Sequence, residues 1–298
     1  RQLIPAQDPK RVMVVGAGLA GLEAAVTAAQ IGHQVKVYEK SPDIGGQIWI
    51  AGAPPHKQEL LELLRYYRAM LRKYDIPVFL NSPVDAAFIR ENAPDHVIVA
   101  EGAKALLPPI NGADDPSALS SWDVLGDNPP LGQEVAVIGG GSVGLETALF
   151  VAAKGTLTPE MLHFLFEYEA EPPERLKELM FAGTSQVTIF EMLPKPGKDH
   201  GKSTKWVLLG KLKRYGVDII TDATVQSIKN GVVTYEKEGE IRSRTFDNVI
   251  LAAGSQAVQD LTHAAAPLNI PYTAVGDCTQ PGKIDDAVHG GFLAAMGI

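Results

Sequence analysis

RVMVVGAGLAGLEAAVTAAQIGHQVKVYE, residues 11–39, decides the fold. Arg11–Val15 is a short apolar run with β-branched residues, the composition of a buried parallel strand. Gly16, Gly18 and Gly21 then fall in the G-x-G-x-x-G spacing, and Leu19 and Ala20 open an alanine-rich helix over 19–30. Gly32 closes that helix, and Gln34–Tyr38 reads as a second strand ending on Glu39. Each glycine has a physical reason. The first allows a tight turn, the second lets the backbone approach a pyrophosphate, and the third lets helix and strand pack closely. Phosphates sit on the unpaired N–H groups at such a helix start, and Glu39 can accept hydrogen bonds from ribose hydroxyls.

The same pattern returns at Glu134. Glu134–Ile138 is a strand, Gly139, Gly141 and Gly144 repeat the fingerprint with Ser142 and Val143 between them, and residues 145–154 continue as a helix. Gln186–Phe190 is the second strand and Glu191 its terminal acid. A repeated dinucleotide unit predicts two nucleotides held by one chain, the requirement for moving a hydride between them. Glu191 offers a carboxylate to a 2′-hydroxyl and repels a 2′-phosphate. No arginine follows Glu191, and although Lys195 is a nearby cation that would suit a 2′-phosphate, NADH is the expected nucleotide.

The 298 residues, 45% hydrophobic and 21% charged, suffice for two medium domains. A formal charge of −8 and the absence of a basic stripe argue against a nucleic-acid surface. No apolar run approaches the roughly 20 residues of a membrane span. Cys278, the one cysteine, rules out an internal disulfide or a C-x-x-C pair, reads as inert packing, and makes a reducing cytoplasm the expected compartment. The histidines lie in different elements without metal spacing. A start at Arg1 without methionine predicts a processed or excised piece.

Between the repeats, residues 56–74 form a strong helical pattern with Leu60, Leu64, Tyr67, Leu71 and Tyr74 on one face. Lys57 reads as an exposed residue of that helix. Short strands follow at 77–80 and 96–100. The second unit departs from a compact unit through about thirty extra residues, 155–185. Thr158 and Pro159 read as an N-cap and first helical position, with Met161, Leu165 and Tyr168 on one face. Leu176, Leu179 and Met180 mark a second short helix. This hairpin reads as a packed decoration or a docking surface for another domain. Later come a helix over 203–215, a small meander at 225–228, 232–235 and 241–245, a strand at 248–253 ending at Gly254, a strand at 271–275, and a helix from 283.

GAGLAG with Glu39, the loop of Ile44, Gly45, Gly46 and Gln47, the Leu64–Arg68 stretch, GGGSVG, Gly201 to Trp206 and the closing Gly276 and Asp277 resemble the two-dinucleotide-domain flavoprotein reductases. The likeness is to the C-terminal flavin portion of the 2,4-dienoyl-CoA reductase and enoate reductase family, old-yellow-enzyme-like NADH:flavin oxidoreductases. It covers all but the first ten residues and the insert. It implies an α/β protein of two Rossmann-like domains. The FAD domain would be discontinuous, 1–127 plus 250–298, with the NAD domain at 128–249 between. Residues 271–277 would return to the first sheet as an added strand. The resemblance places FAD on Gly16, Gly18, Leu19, Ala20, Gly21 and Glu39. It adds Lys40, Gly46, Gln47, Lys57, Val84, Ala100, Gly102 and Asp277, and a final helix opened by Ile284, Asp285 and Ala287. NADH would take Gly139, Gly141, Ser142, Val143, Gly144, Glu191 and Gly254. No side chain is implied as a catalytic acid or base.

Three departures carry consequences. Family members have an N-terminal TIM-barrel domain with FMN and a four-cysteine iron–sulfur site. Neither can be built from this chain, so such a domain, or an equivalent acceptor, is the implied partner. Glu101 stands where the family has Thr. On the family's chain path its carboxylate would face the FAD pyrophosphate, so Glu101→Thr is expected to tighten or preserve FAD binding. Gln256 and Ala257 replace a common Arg-Pro pair. The alternative reading is an ADP-holding, redox-inactive scaffold, as in the related trimethylamine dehydrogenases.

Overall fold

The structure, a computed structural model, describes residues 3–298. Arg1 lies outside the described residues, as does the side chain of Lys202. The chain divides into two compact units, residues 1–52, 58–104 and 255–298 in one, and 53–57 and 105–254 in the other.

The first unit is built on five parallel strands in the order Tyr272–Ala274, His96–Val99, Arg11–Val15, Gln34–Tyr38, Val78–Phe79. The strand at Tyr272–Ala274 is the late addition predicted from the sequence. Arg11–Val15 is apolar on both faces because helices cover both, and only Arg11, at its edge, is exposed. Leu19–Gln30 is buried along most of its length, which is why small alanines fill it. It lies against the C-terminal helix Ile284–Met296. There a Cβ on Gly291 would come within 2.3 Å of the Ala20 carbonyl oxygen, so only glycine permits the approach.

The second unit repeats this topology. Its parallel strands run Ala118–Ser120, Asn248–Leu251, Glu134–Ile138, Gln186–Phe190, Asp218–Ile220. Both glycine-bearing strands pair in the same register with the strand that carries the acid, Val15 with Tyr38 and Ile138 with Phe190. An antiparallel meander, Ala223–Lys229, Val232–Lys237 and Glu240–Thr245, completes the unit.

Domain boundaries differ from the expected 127/128 and 249/250. Ala118–Ser120 pairs with Asn248–Leu251, and Ser120 caps the helix Ser121–Asp127, accepting from the N–H groups of Trp122 and Asp123 at 3.1 Å each. Residues 105–127 therefore go with the second sheet, and the strand at Asn248–Leu251 lies inside that sheet. The 56–74 helix is shorter than its pattern. His56 takes a left-handed φ of 68°, Gln58–Leu61 is a single 3-10 turn, and the α-helix proper is Glu62–Lys73. Leu64, Tyr67 and Leu71 are buried as the period predicts. In the insert, Thr158 caps Pro159–Glu167 as expected, accepting from the Met161 N–H at 3.2 Å. Its inward face differs: Met161 and Tyr168 are exposed, Leu162 and Leu165 are half-buried, and Leu176 of Pro173–Leu179 is the buried anchor.

Candidate functional site

At the first glycine turn, Gly16 has φ +103°, and a Cβ there would lie 2.2 Å from the Ala100 carbonyl oxygen. A Cβ on Gly21 would lie 1.9 Å from the Gly16 carbonyl oxygen. Gly18 differs, because no protein atom comes within 4 Å of its Cβ position. Two glycines are thus demanded by the fold, and one leaves open space at the start of the Leu19–Gln30 helix. That is the cradle a pyrophosphate takes. Leu19 and Ala20 form the first turn of this helix.

Glu39 is 7% exposed and spans the turn. One carboxylate oxygen accepts from the Ala17 N–H at 2.7 Å, the other from the Ser41 N–H at 2.8 Å. Each oxygen retains a lone pair for a ribose hydroxyl. The loop beyond returns to the same turn: the Gly45 N–H donates to the Ala17 carbonyl at 2.7 Å, and Gly46, with φ +53°, comes close to the Gly18 Cα. Gln47 and Asp277, 230 residues apart, meet through a 2.8 Å hydrogen bond from Gln47 Nε2 to Asp277 Oδ2. Gly102 lies beside them, its Cβ position 3.7 Å from Gln47 Nε2. Asp277 does not cap the final helix. It accepts from the Gly282 N–H, while Asp286 closes the first turn by accepting from the Lys283 N–H at 2.9 Å. Ile284, Asp285 and Ala287 form that turn. Lys40 is exposed, and Val84 is half-buried against the apolar cluster that includes Val97, Val99 and Leu261.

The second turn repeats these contacts. A Cβ on Gly139 would lie 2.5 Å from the Ala252 carbonyl oxygen, and one on Gly144 would lie 1.9 Å from the Gly139 carbonyl oxygen. Glu191, also 7% exposed, accepts from Gly140 N–H and Leu193 N–H at 2.7 Å each. Gly254, at φ +103°, accepts from the Leu106 N–H at 3.0 Å. Val143 is exposed on the helix start. Ser142 is not free: its N–H donates to Asp199 Oδ1 at 2.9 Å.

Two expectations are corrected. Glu101 faces a helix rather than a pyrophosphate. Its carboxylate accepts from the N–H groups of Leu261 at 2.8 Å and Thr262 at 3.1 Å, and from the Thr262 hydroxyl, capping Asp260–Ala265. The partners lie 160 residues away, and the repeat gives no hint of them, since Ala253 is the counterpart. The Glu101→Thr expectation therefore reverses. Removing a charged cap costs about 1–2 kcal/mol, so Glu101→Thr lowers the Tm by a few degrees and loosens FAD. A melt followed by flavin fluorescence checks this; an unchanged midpoint with firmer FAD retention would return Glu101 to the pyrophosphate. The other correction is the place of Lys57, which lies in the turn before the helix rather than on it and pairs with Glu146 at 2.5 Å.

Glu146, His200 and Asp199 were not picked out from the sequence as site residues. Glu146 lies one helical turn past Ser142, and His200 Nδ1 stands 3.3 Å from the Ser142 hydroxyl and 3.9 Å from Glu146. The repeat carries their signal: Glu146 stands in the second copy where Glu23 stands in the first, and Asp199 and His200 lie eight and nine residues past the second acid. Cys278 is fully buried, its thiol donating to the Val99 and Val275 carbonyls, and burial pushes its pKa up. It is packing, not a redox group. Among the described residues no group of His, Cys, Asp and Glu could hold a metal ion, and no helix is long and apolar enough to cross a membrane.

The family described as pyridine nucleotide-disulphide oxidoreductase matches residues 10–289. A metal reductase of Desulforamulus reducens is 35% identical over 298 residues, 99% of this chain and 45% of the relative. An NADH oxidase of Thermoanaerobacter brockii is 33% identical, covering 97% of this chain and 41% of its own length. The solved structure of a 2-naphthoyl-CoA reductase bound to 2-naphthoyl-CoA superposes with TM-score 0.85 at 27% identity, over 100% of this chain and 41% of that one. The chain thus spans less than half the length of these relatives.

Proposed function

We propose the NADH-to-FAD step of a larger reductase as the function of this chain, which belongs to the pyridine nucleotide-disulphide oxidoreductase family. FAD and NAD(P)H are the cofactors of this family. When bound, FAD supplies the chemistry by accepting a hydride from the reduced nicotinamide. The observation that carries the reading is the doubled cradle: two glycine turns, each locked by a buried glutamate bonded to backbone N–H groups on both sides. The first unit would hold FAD. Gly18 leaves room for its pyrophosphate, Glu39 stands at the ribose, and Gln47, Gly102 and Asp277 gather in the same unit.

The second unit would hold NADH rather than NADPH, because Glu191 is a buried carboxylate at the strand end. No proton-transferring side chain is needed for this half-reaction. The electrons would then leave for a partner domain, in keeping with the longer relatives. Against the ADP-scaffold alternative, the second unit keeps the close-packed glycine turn of the first, with Gly139 and Gly144 as constrained as Gly16 and Gly21, and its own buried acid, Glu191.

Anaerobic mixing with NADH tests the proposal. The visible flavin band bleaches within a single turnover, and the released cofactor has the mass of FAD. A colourless protein retaining ADP, or FMN as the sole flavin, would sink it. Catalytic efficiency with NADH exceeds that with NADPH by at least about tenfold, the factor that roughly 1.4 kcal/mol of charge repulsion gives. Glu191→Ala narrows that ratio. It also lowers both efficiencies, since the loop loses two backbone bonds. The ratio is therefore the readout, and equal efficiencies in the unmodified protein would count against the assignment.

A further inference from the structure

We propose that Asp199 is an internal anion that occupies the pyrophosphate position of the second cradle and sets how tightly that cradle holds a dinucleotide. The inference rests on the nucleotide reading of the second unit, and the chain contains its own control. The repeat extends beyond the two acids. Gly45 lies six residues past Glu39 and donates to the Ala17 carbonyl at 2.7 Å; Gly197 lies six past Glu191 and donates to the Gly140 carbonyl at 2.6 Å. Past this glycine the copies diverge: Gly46 and Gln47 in the first correspond to Lys198 and Asp199 in the second. The first carries Gln47, a neutral amide turned to Asp277, and leaves the Gly18 Cβ position with nothing within 4 Å.

The second copy carries Asp199 at the matching place. Its Oδ1 accepts from the Ser142 N–H at 2.9 Å, at the first residue of the eleven-residue helix Ser142–Ala152. Its two carboxylate oxygens lie 3.3 and 3.5 Å from the Gly141 Cβ position. Gly141 is the equivalent of Gly18, the glycine whose bare backbone a pyrophosphate approaches. The donor and the space that a dinucleotide needs are therefore both taken by a carboxylate of this chain. A pyrophosphate and a carboxylate cannot share them, because like charges at such range repel and one N–H cannot serve both. Asp199 must swing away when a nucleotide enters and return when it leaves. It thus weakens every pyrophosphate ligand at this site, the oxidised product included, and favours release.

Equilibrium titration tests this, with NADH and separately with ADP-ribose, on the FAD-loaded chain at low ionic strength. Asp199→Asn keeps an acceptor for the Ser142 N–H and removes the charge. It binds both ligands roughly tenfold more tightly, about 1.4 kcal/mol, with an unchanged melting midpoint. Asp199→Gln installs the residue of the first copy and gives the same gain if the Asn variant does not fold. Asp199→Glu keeps the charge and brings no gain. Wild-type affinity, or weaker binding, in both neutral variants makes Asp199 a structural cap and overturns the inference alone. Failure of all the proteins to bind either ligand overturns the nucleotide reading and takes this inference with it.

Discussion

Gly144→Ala slows reduction of bound FAD by NADH by about a hundredfold or more and leaves the flavin in place, whereas Gly21→Ala yields protein without flavin. The reason is the same at both positions. A Cβ at either would stand 1.9 Å from a backbone carbonyl oxygen, that of Gly139 or Gly16. Neither neighbour is the free end of a flexible side chain. Gly16 and Gly139 are themselves pinned, their N–H groups donating to Tyr38 and Phe190 carbonyls at 2.8 and 2.9 Å. The helix must therefore move away from the strand, at a cost of at least about 1–3 kcal/mol. A displacement near 1 Å at the helix start is enough to lose on the order of a hundredfold in a positioned reaction. Gly18→Ala is the companion variant. Its φ of −71° suits alanine and its Cβ meets no protein atom, so it leaves stability intact and removes FAD by blocking the ligand alone. Absorption spectra report the flavin, and stopped-flow mixing with NADH reports its reduction. If Gly21→Ala keeps its flavin while Gly144→Ala loses it, the two cradles exchange assignments. Wild-type behaviour in both removes nucleotide binding from the glycine turns.

What could be read from the sequence was what backbone geometry demands locally. Gly16, Gly21, Gly139 and Gly144 have no substitute where a carbonyl oxygen sits within 2.5 Å of the Cβ position, so the fingerprint and the fold announce each other. Glu39 and Glu191 were legible through their place at strand ends, although their bonds to Ala17 and Gly140 add that they also hold the turns in shape. Long-range partners were not legible. Nothing near Glu101 points to Leu261, and nothing near Gln47 points to Asp277. The three residues Ala118–Ser120 are too short to show a strand period, and only their pairing with Asn248–Leu251 assigns residues 105–127 to the second unit. Asp199 lay between these cases. It was visible to anyone aligning the two halves of the chain past their acids, because Gly45 and Gly197 share an offset of six.

The remaining large effect separates this chain from the whole reductase it resembles. With FAD bound, the isolated chain turns over NADH with ferricyanide or an artificial dye, but it does not reduce a 2,4-dienoyl-CoA or enoyl-CoA at a measurable rate. Ferricyanide takes electrons one at a time from an exposed reduced flavin and needs no site of its own. In the 2,4-dienoyl-CoA and enoate reductases that the sequence resembles, thioester reduction is expected at a second centre, and this chain has no means to build one. A four-iron cluster takes about four thiolates, and the sequence has only Cys278, which is fully buried and engaged with two backbone carbonyls. A TIM barrel takes eight parallel strand–helix units closed on themselves, whereas the two parallel sheets here have five strands each and stay open. The decisive assay is anaerobic, with NADH and a dienoyl-CoA followed at the thioester's own absorption, so that oxygen consumption cannot imitate turnover. Supplying in trans the FMN and iron–sulfur domain of a 2,4-dienoyl-CoA reductase, the family the sequence resembles, should restore thioester reduction if the electrons leave as proposed. Sustained reduction by this chain alone would place an acyl-CoA site within the flavin units and make the missing partner unnecessary.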